Sequence, residues 1–250
     1  MASGIKAILF DKDGTLFNYG KVWGTVISAS LKAKVPVEGL SKEKAEACIL
    51  ELEKITGIDR YGNAHKDGIL FRHDKLIECT VRLLKVIFKY KLPPIRAISA
   101  FLSLVDRADH GLEEKLENFD FSETTEILER CYERGYTIGM VTNDKKDSVK
   151  MFLEKFDPNR RISFIETGDG NSKRKPSADA ARKFMKLNSI KPSELCIIGD
   201  TIIDMRFARN AKAGRKIALL SGSGDLENLT KLSDVVYPNL RDIINDPVLF

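Results

Sequence analysis

The order of apolar and polar positions divides the chain into a short opening run, a long middle stretch and a regular final part. In residues 5–10 five of six positions are apolar, with β-branched Ile5 and Ile8 among them, and the run stops at Asp11-Lys12-Asp13-Gly14-Thr15. Such a run predicts a buried strand of a parallel sheet. Its acids then stand at the strand's carboxyl edge, where open α/β sheets bind ligands. Side-chain alternation sends Asp11 and Asp13 to one side and Lys12 to the other, and Gly14 lets the chain turn sharply beside them.

Residues 18–118 hold no convincing strand, and a stretch of that length is too long for a structureless loop. Ala45, Cys48, Leu52 and Ile55 recur at helical spacing between Ser41, an N-cap, and Gly57, a stop. A second helix is expected to carry Leu76, Ile77, Leu83, Leu84, Ile87 and Phe88 on one face and to end before Pro93-Pro94. A third runs from Ile95 through Ile98, Phe101, Leu102 and Val105 toward Gly111, and residues 22–33 form a fourth. Four such helices can bury their stripes against one another as a small bundle.

From Ser122 onward helix and strand alternate. Helices are predicted over 122–134, 145–156, 177–187 and 202–213, with Ser177 capping the third and Gly135 and Gly214 closing the first and last. Strands fall at 136–141, 162–165, 195–198 and 216–220. This alternation means right-handed βαβ units and an α/β fold with a parallel, doubly wound sheet. The opening strand is then a member of that sheet, separated from the rest by the helical insertion.

Composition changes this picture little. The chain has 250 residues, 43% hydrophobic and 31% charged, as an ordinary soluble protein does. The excess of 41 Lys+Arg over 36 Asp+Glu leaves +5, spread along the chain. That suits a small anionic ligand better than a nucleic-acid backbone. No stretch has the length and hydropathy of a membrane span, and Met1-Ala2-Ser3-Gly4 lacks a signal-peptide pattern, so the expected location is cytoplasmic. Cys48, Cys79, Cys131 and Cys196 are far apart, which points to buried reduced thiols in place of zinc ligands or a disulfide framework.

Four polar groups punctuate the strand ends. Asp11 and Asp13 repel one another unless a cation or a shared proton compensates; their ordinary alternative is a plain turn. Val141-Thr142-Asn143-Asp144 offers a hydroxyl and a helix amino end, where free N–H groups hold phosphate well; alone it reads as an N-cap by Asn143 or Asp144. Lys173-Arg174-Lys175-Pro176-Ser177 places a lysine at a loop–helix junction, where its point charge suits a phosphoryl oxygen. Gly199-Asp200-Thr201-Ile202-Ile203-Asp204 again ends an apolar strand in an acid, with Asp204 four residues on. Hard oxygen ligands in this number suit Mg²⁺. Independent turns would not deliver these four groups in order on successive strand ends.

The four segments resemble the four motifs of the haloacid dehalogenase-like hydrolase superfamily, in its phosphoglycolate phosphatase-like group. The resemblance implies a Rossmann-like core from residues 1–17 and 119–250, with helices on both faces of its sheet, and an all-helical cap domain from 18–118, inserted after the first strand. About thirty residues separate Asn143 from Lys175, too few for a second cap. By position, Asp11 is the expected nucleophile, forming an aspartyl-phosphate, and Asp13 the acid and base, its backbone carbonyl also ligating the metal. The resemblance likewise implies Thr142, Asn143 and Lys175 for binding phosphoryl oxygens, and Asp11, Asp13, Asp200 and Asp204 for the Mg²⁺ site, with Asp204 either a further ligand or a partner behind the ligands.

Asp13 argues for an oxygen leaving group, because the family's dehalogenases and phosphonate-cleaving members carry other residues there. Phosphomutases of this cap type usually show Glu-Asp where this chain has Gly199-Asp200, which favours hydrolysis. Arg60, His65 and Lys66, in a polar loop between cap helices, are candidates for touching substrate, whereas His73 and His110 stand beside no nucleophile. The expectation is a Mg²⁺-dependent phosphatase of a small phosphorylated metabolite, phosphoglycolate leading, with no nucleic acid or membrane partner. The alternatives are a phosphomutase of the same fold and a regulatory protein that binds phosphorylated ligands without turnover.

Overall fold

The computed structural model describes residues 4–17, 19–61, 68–69, 76–107 and 119–250. Six strands form one parallel sheet: β1 (Ala7–Phe10), β2 (Thr137–Val141), β3 (Ile162–Glu166), β4 (Leu195–Gly199), β5 (Arg215–Leu219) and β6 (Val235–Tyr237). Their order is β3-β2-β1-β4-β5-β6. The chain builds outward from β1 in one direction and then in the other, so the carboxyl end of β1 lies where the order reverses. That is the crevice in which doubly wound sheets bind ligands. Phe10 is in register with Met140 on one side and Ile198 on the other, which brings the ends of β1, β2 and β4 level.

Helices α5 (Ser122–Glu133), α6 (Lys146–Phe156), α7 (Asp179–Asn188), α8 (Ile202–Asn210) and α9 (Leu226–Leu232) make the crossovers. Alternation along β1 serves both faces of the sheet. Ala7 and Leu9 enter one cluster with Phe184 and Met185 of α7 and Phe207 and Ala208 of α8. Phe17, just after β1, packs on Phe152 of α6 with ring centroids 4.5 Å apart and on Phe121 at 6.0 Å. Each buried ring of this size stabilises the fold by about 1.5–3 kcal/mol relative to exposure.

The chain divides into two compact units, Met1–Asn18 with Asp120–Phe250, and Tyr19–Phe119. The second contains α1 (Tyr19–Lys34), α2 (Lys42–Thr56), α3 (Leu76–Lys89) and α4 (Pro94–Arg107), with α1 packed on α2 and α4, and α3 likewise on α2 and α4. Ser41 caps α2 by accepting from the Lys44 N–H, and Gly57 ends it in the left-handed region at φ 113°. Among the described residues no helix is long and apolar enough to cross a membrane. All four cysteines are buried and none forms a disulfide, and burial pushes the Cys131 thiol up to about 12.

Several local expectations need correction. In α3 the buried side consists of Cys79, Leu83, Val86 and Ile87, while Ile77 and Phe88 are 82% and 74% exposed. In α4, Ala97, Ala100 and Phe101 are buried and Ile95 and Leu102 exposed. Both helices are apolar round more than one stripe, so periodicity alone did not choose the inward face. Ser177 does not cap α7, whose N-cap is Ala178, and α6 begins after Lys145, so neither Asn143 nor Asp144 is its N-cap. The short β6 and α9 escaped the pattern altogether.

Candidate functional site

β1 stops at Asp11, whose N–H donates to Ile198 O at 2.9 Å, holding the first acid beside the end of β4. The chain then turns through Gly14 at φ 87°, where a side chain would also collide with the Asp200 carboxylate, so the turn requires glycine. Asp200 follows β4 directly and is 1% exposed. Asp204 sits in the first turn of α8, where its carboxylate accepts from Thr201 N at 3.0 Å and Thr201 Oγ1 at 2.5 Å while Thr201 Oγ1 accepts from Asp204 N. This reciprocal cap fixes the second acid of the segment.

Lys175 reaches into the cluster from the loop before α7. Its buried ammonium hydrogen-bonds to Asp11 Oδ1 and, at 2.5 Å, to Asp204 Oδ1. The loop is held by Asn143, whose side-chain amide accepts from Lys175 N at 2.9 Å and donates to Lys175 O at 3.3 Å. The Asn143 side chain therefore positions the Lys175 backbone. Thr142 is buried, and its Oγ1 accepts from Asp144 N at 3.0 Å, so its own O–H remains to donate.

Electrostatics mark the cluster as short of positive charge. Burial pushes the Asp11 carboxyl up to about 7, with Lys175 pulling down and Asp204 and Asp13 pushing up. Asp200 lies well above the ordinary carboxylate range, through burial and then through Asp11 and Asp204. Burial would lower Lys175, but Asp11 and Asp204 overcome it and raise it. Asp11, Asp200 and Asp204 each bring one carboxylate oxygen within 4.8 Å of the others. Asp200 Oδ1 is buried and has no hydrogen-bond partner. Hard, crowded, undersupplied oxygens of this kind fit a divalent cation such as Mg²⁺. The Asp13 carboxylate stands outside this trio.

Two features escaped sequence reasoning. The loop after β5 closes over Asp200, with Ser223 N donating to Asp200 Oδ2 at 2.8 Å and Ser221 Oγ to Gly14 O at 2.8 Å. The Ser221-Gly222-Ser223-Gly224 run on a strand end was the available signal. Lys12 is the second. In place of pointing away from the acids, it lies 1% exposed with Nζ 2.6 Å from Asp13 Oδ1 and 3.1 Å from Asp144 Oδ2. Strand geometry ends at Phe10, so the alternation that placed Lys12 no longer applies there.

Arg60 donates to both carboxylate oxygens of fully buried Glu53 at 3.1 Å and also pairs with Glu46. Its guanidinium is engaged with these two acids within the helical unit. His65, Lys66, His73 and His110 lie outside the described residues.

A parallel sheet with acids at the reversal point, a lysine from the loop before α7 and an acid pair at β4 defines a class, and the chain belongs to it: the haloacid dehalogenase-like hydrolase family, whose profile matches residues 8–217. Among curated proteins it is similar to phosphoglycolate phosphatase of Shigella dysenteriae serotype 1, at 23% identity over 96% of this chain and 91% of that one. It is also similar to phosphoglycolate phosphatase of Vibrio parahaemolyticus, at 30% identity over 34% of this chain and 38% of the relative. Its fold is shared with the crystal structure of a predicted phosphoglycolate phosphatase from Haemophilus somnus 129pt, with TM-score 0.58 and 19% identity over 98% of both chains.

Proposed function

We propose that this chain is a Mg²⁺-dependent phosphatase of small phosphate monoesters, working through an aspartyl-phosphate on Asp11. The observation that carries the reading is Asp11 at the end of β1, hydrogen-bonded to Lys175 and gathered with Asp200 and Asp204. Asp11 attacks phosphorus as a carboxylate, and the bond to the ester oxygen breaks. Asp13 gives its proton to that departing oxygen and then, as a carboxylate, takes a proton from the water that hydrolyses the acyl phosphate. Lys175 and the Thr142 hydroxyl hold phosphoryl oxygens, with the Asn143 main-chain N–H beside them. Asp11, Asp200 and Asp204, with the Asp13 carbonyl, would hold the cation, which neutralises charge on the phosphoryl oxygens when bound.

Family membership and the named relatives support a phosphomonoester, and phosphoglycolate is the first substrate to test. Gly199 in place of the mutases' glutamate supports hydrolysis over transfer. The helical unit is the part proposed to select the leaving group.

Turnover of an aryl phosphate should require Mg²⁺ and vanish with excess EDTA; undiminished turnover in the chelator would refute the metal assignment. Asp11→Asn should abolish turnover of every ester. Asp13→Asn should accumulate phosphoenzyme, because breakdown then lacks its base. Intact-mass measurement after rapid mixing with aryl phosphate should find the added phosphate on Asp11, and phosphate on another residue would overturn the mechanism.

A further inference from the structure

A buried ammonium between the two opening acids is unusual, because lysine is almost never fully buried unless its charge is met. Lys12 meets this cost on all sides. Its Nζ donates to Asp13 Oδ1 at 2.6 Å and pairs with Asp144 Oδ2 at 3.1 Å. It lies 4.5 Å above the Phe152 ring and 5.9 Å from that of Phe17. Its carbonyl accepts from the N–H groups of Thr15 and Phe17, so the whole turn winds about this residue. Asp144 is itself anchored, accepting from Ser148 Oγ at 2.5 Å and Lys145 N at 2.8 Å.

From this geometry we infer that Lys12 is a positioning residue: its ammonium, fixed between Asp144 and two aromatic rings, sets the orientation of the Asp13 carboxyl group. Asp13 stands at the edge of the cluster with its side chain 32% exposed, where an unheld carboxyl group would turn freely. Because Lys12 occupies Oδ1, Oδ2 is, among the contacts of the described residues, the oxygen left to carry the proton to a leaving group. The same ammonium ties the β1 turn to the start of α6, so Asp13 is oriented relative to Thr142 and Asn143 at the end of β2.

The inference rests on the reading of Asp13 as the acid and base, and the test separates the two. Lys12→Met keeps the stem on Phe17 and Phe152 and removes the ammonium. Its single-turnover rate on an alkyl phosphate should fall by about 10²-fold, the scale of a misplaced catalytic group. The rate on an aryl phosphate, whose leaving group needs little proton, should fall much less, with KM for both nearly unchanged. In an Asp13→Asn background Lys12→Met should add no further alkyl-selective loss. Asp144→Asn, which leaves the lysine in place, should show the same selectivity to a smaller degree and decides the matter if Lys12→Met does not fold. An Asp13→Asn enzyme without alkyl-selective loss would remove the underlying reading. Alkyl-selective loss in Asp13→Asn together with equal losses on both esters in the lysine or Asp144 variants would overturn the positioning role alone.

Discussion

Asp11 and Lys175 are 164 positions apart in the chain and share a hydrogen bond in the protein. What joins them is charge in a buried place, and the consequence is a defined pH dependence. Asp11 rises from 3.8 toward about 7 on folding, and Asp200 also rises well above its ordinary value. A carboxyl group with a raised folded-state pKa binds its proton more tightly in the native protein, so its contribution is present at low pH and lost as pH climbs through about 7. The melting temperature of the EDTA-treated protein should therefore fall as pH rises from about 5 to 8. Because ligating carboxylates must be deprotonated, the upward shift given by Mg²⁺ should grow over the same interval. A thermal-melt series with and without the ion checks both, and Asp200→Asn should flatten the first and shrink the second. Arg60 gives a contrasting case. Arg60→Ala removes the guanidinium that meets the charge of buried Glu53, and should cost up to about 3–5 kcal/mol in denaturant unfolding while leaving kcat on an aryl phosphate unchanged.

At the scale of elements, the site is built from loop ends whose backbone groups are committed to one another. The loop after β5 shows this best, since Ser223 N holds Asp200 and a methyl group at Gly222 would run into the same carboxylate. Gly222→Ala should raise the Mg²⁺ concentration for half-maximal activity by about 10–100-fold, as outer partners of metal ligands do, measured by titrating activity with the ion. The reciprocal cap of Thr201 and Asp204 is legible in sequence as a polar residue followed three positions later by an acid. The exposed stripe of α3, by contrast, is as apolar as the buried one, and only the packing of α3 on α2 and α4 selected between them.

The whole molecule divides its chain between a sheet unit with the acids and lysine and a helical unit from Tyr19–Phe119. If the latter selects substrate, changing His65 and Lys66 should reorder turnover across a panel of phosphorylated metabolites while aryl phosphate hydrolysis holds steady. Equal losses on every substrate would place those residues in the chemistry or the fold. The modest net charge of +5 is in keeping with small anionic ligands at this scale.

By itself the sequence determined the first five strands of the sheet and the helices between them, because apolar runs that end in acids, threonine or glycine, alternating with amphipathic helices, admit few other arrangements. It also named Asp11, Lys175, Asp200 and Asp204, since each stands at a predicted strand or loop end and strand ends of a parallel sheet converge. Tertiary structure alone decided the rest. Lys12 turns under Asp13 because the strand has ended and Asp144, Phe17 and Phe152 lie there to receive it. Asn143 spends its amide on the Lys175 backbone, Arg60 on Glu53, and Ser223 closes over Asp200. Each of these contacts joins residues that no local period relates, so each depends on which elements come to lie side by side.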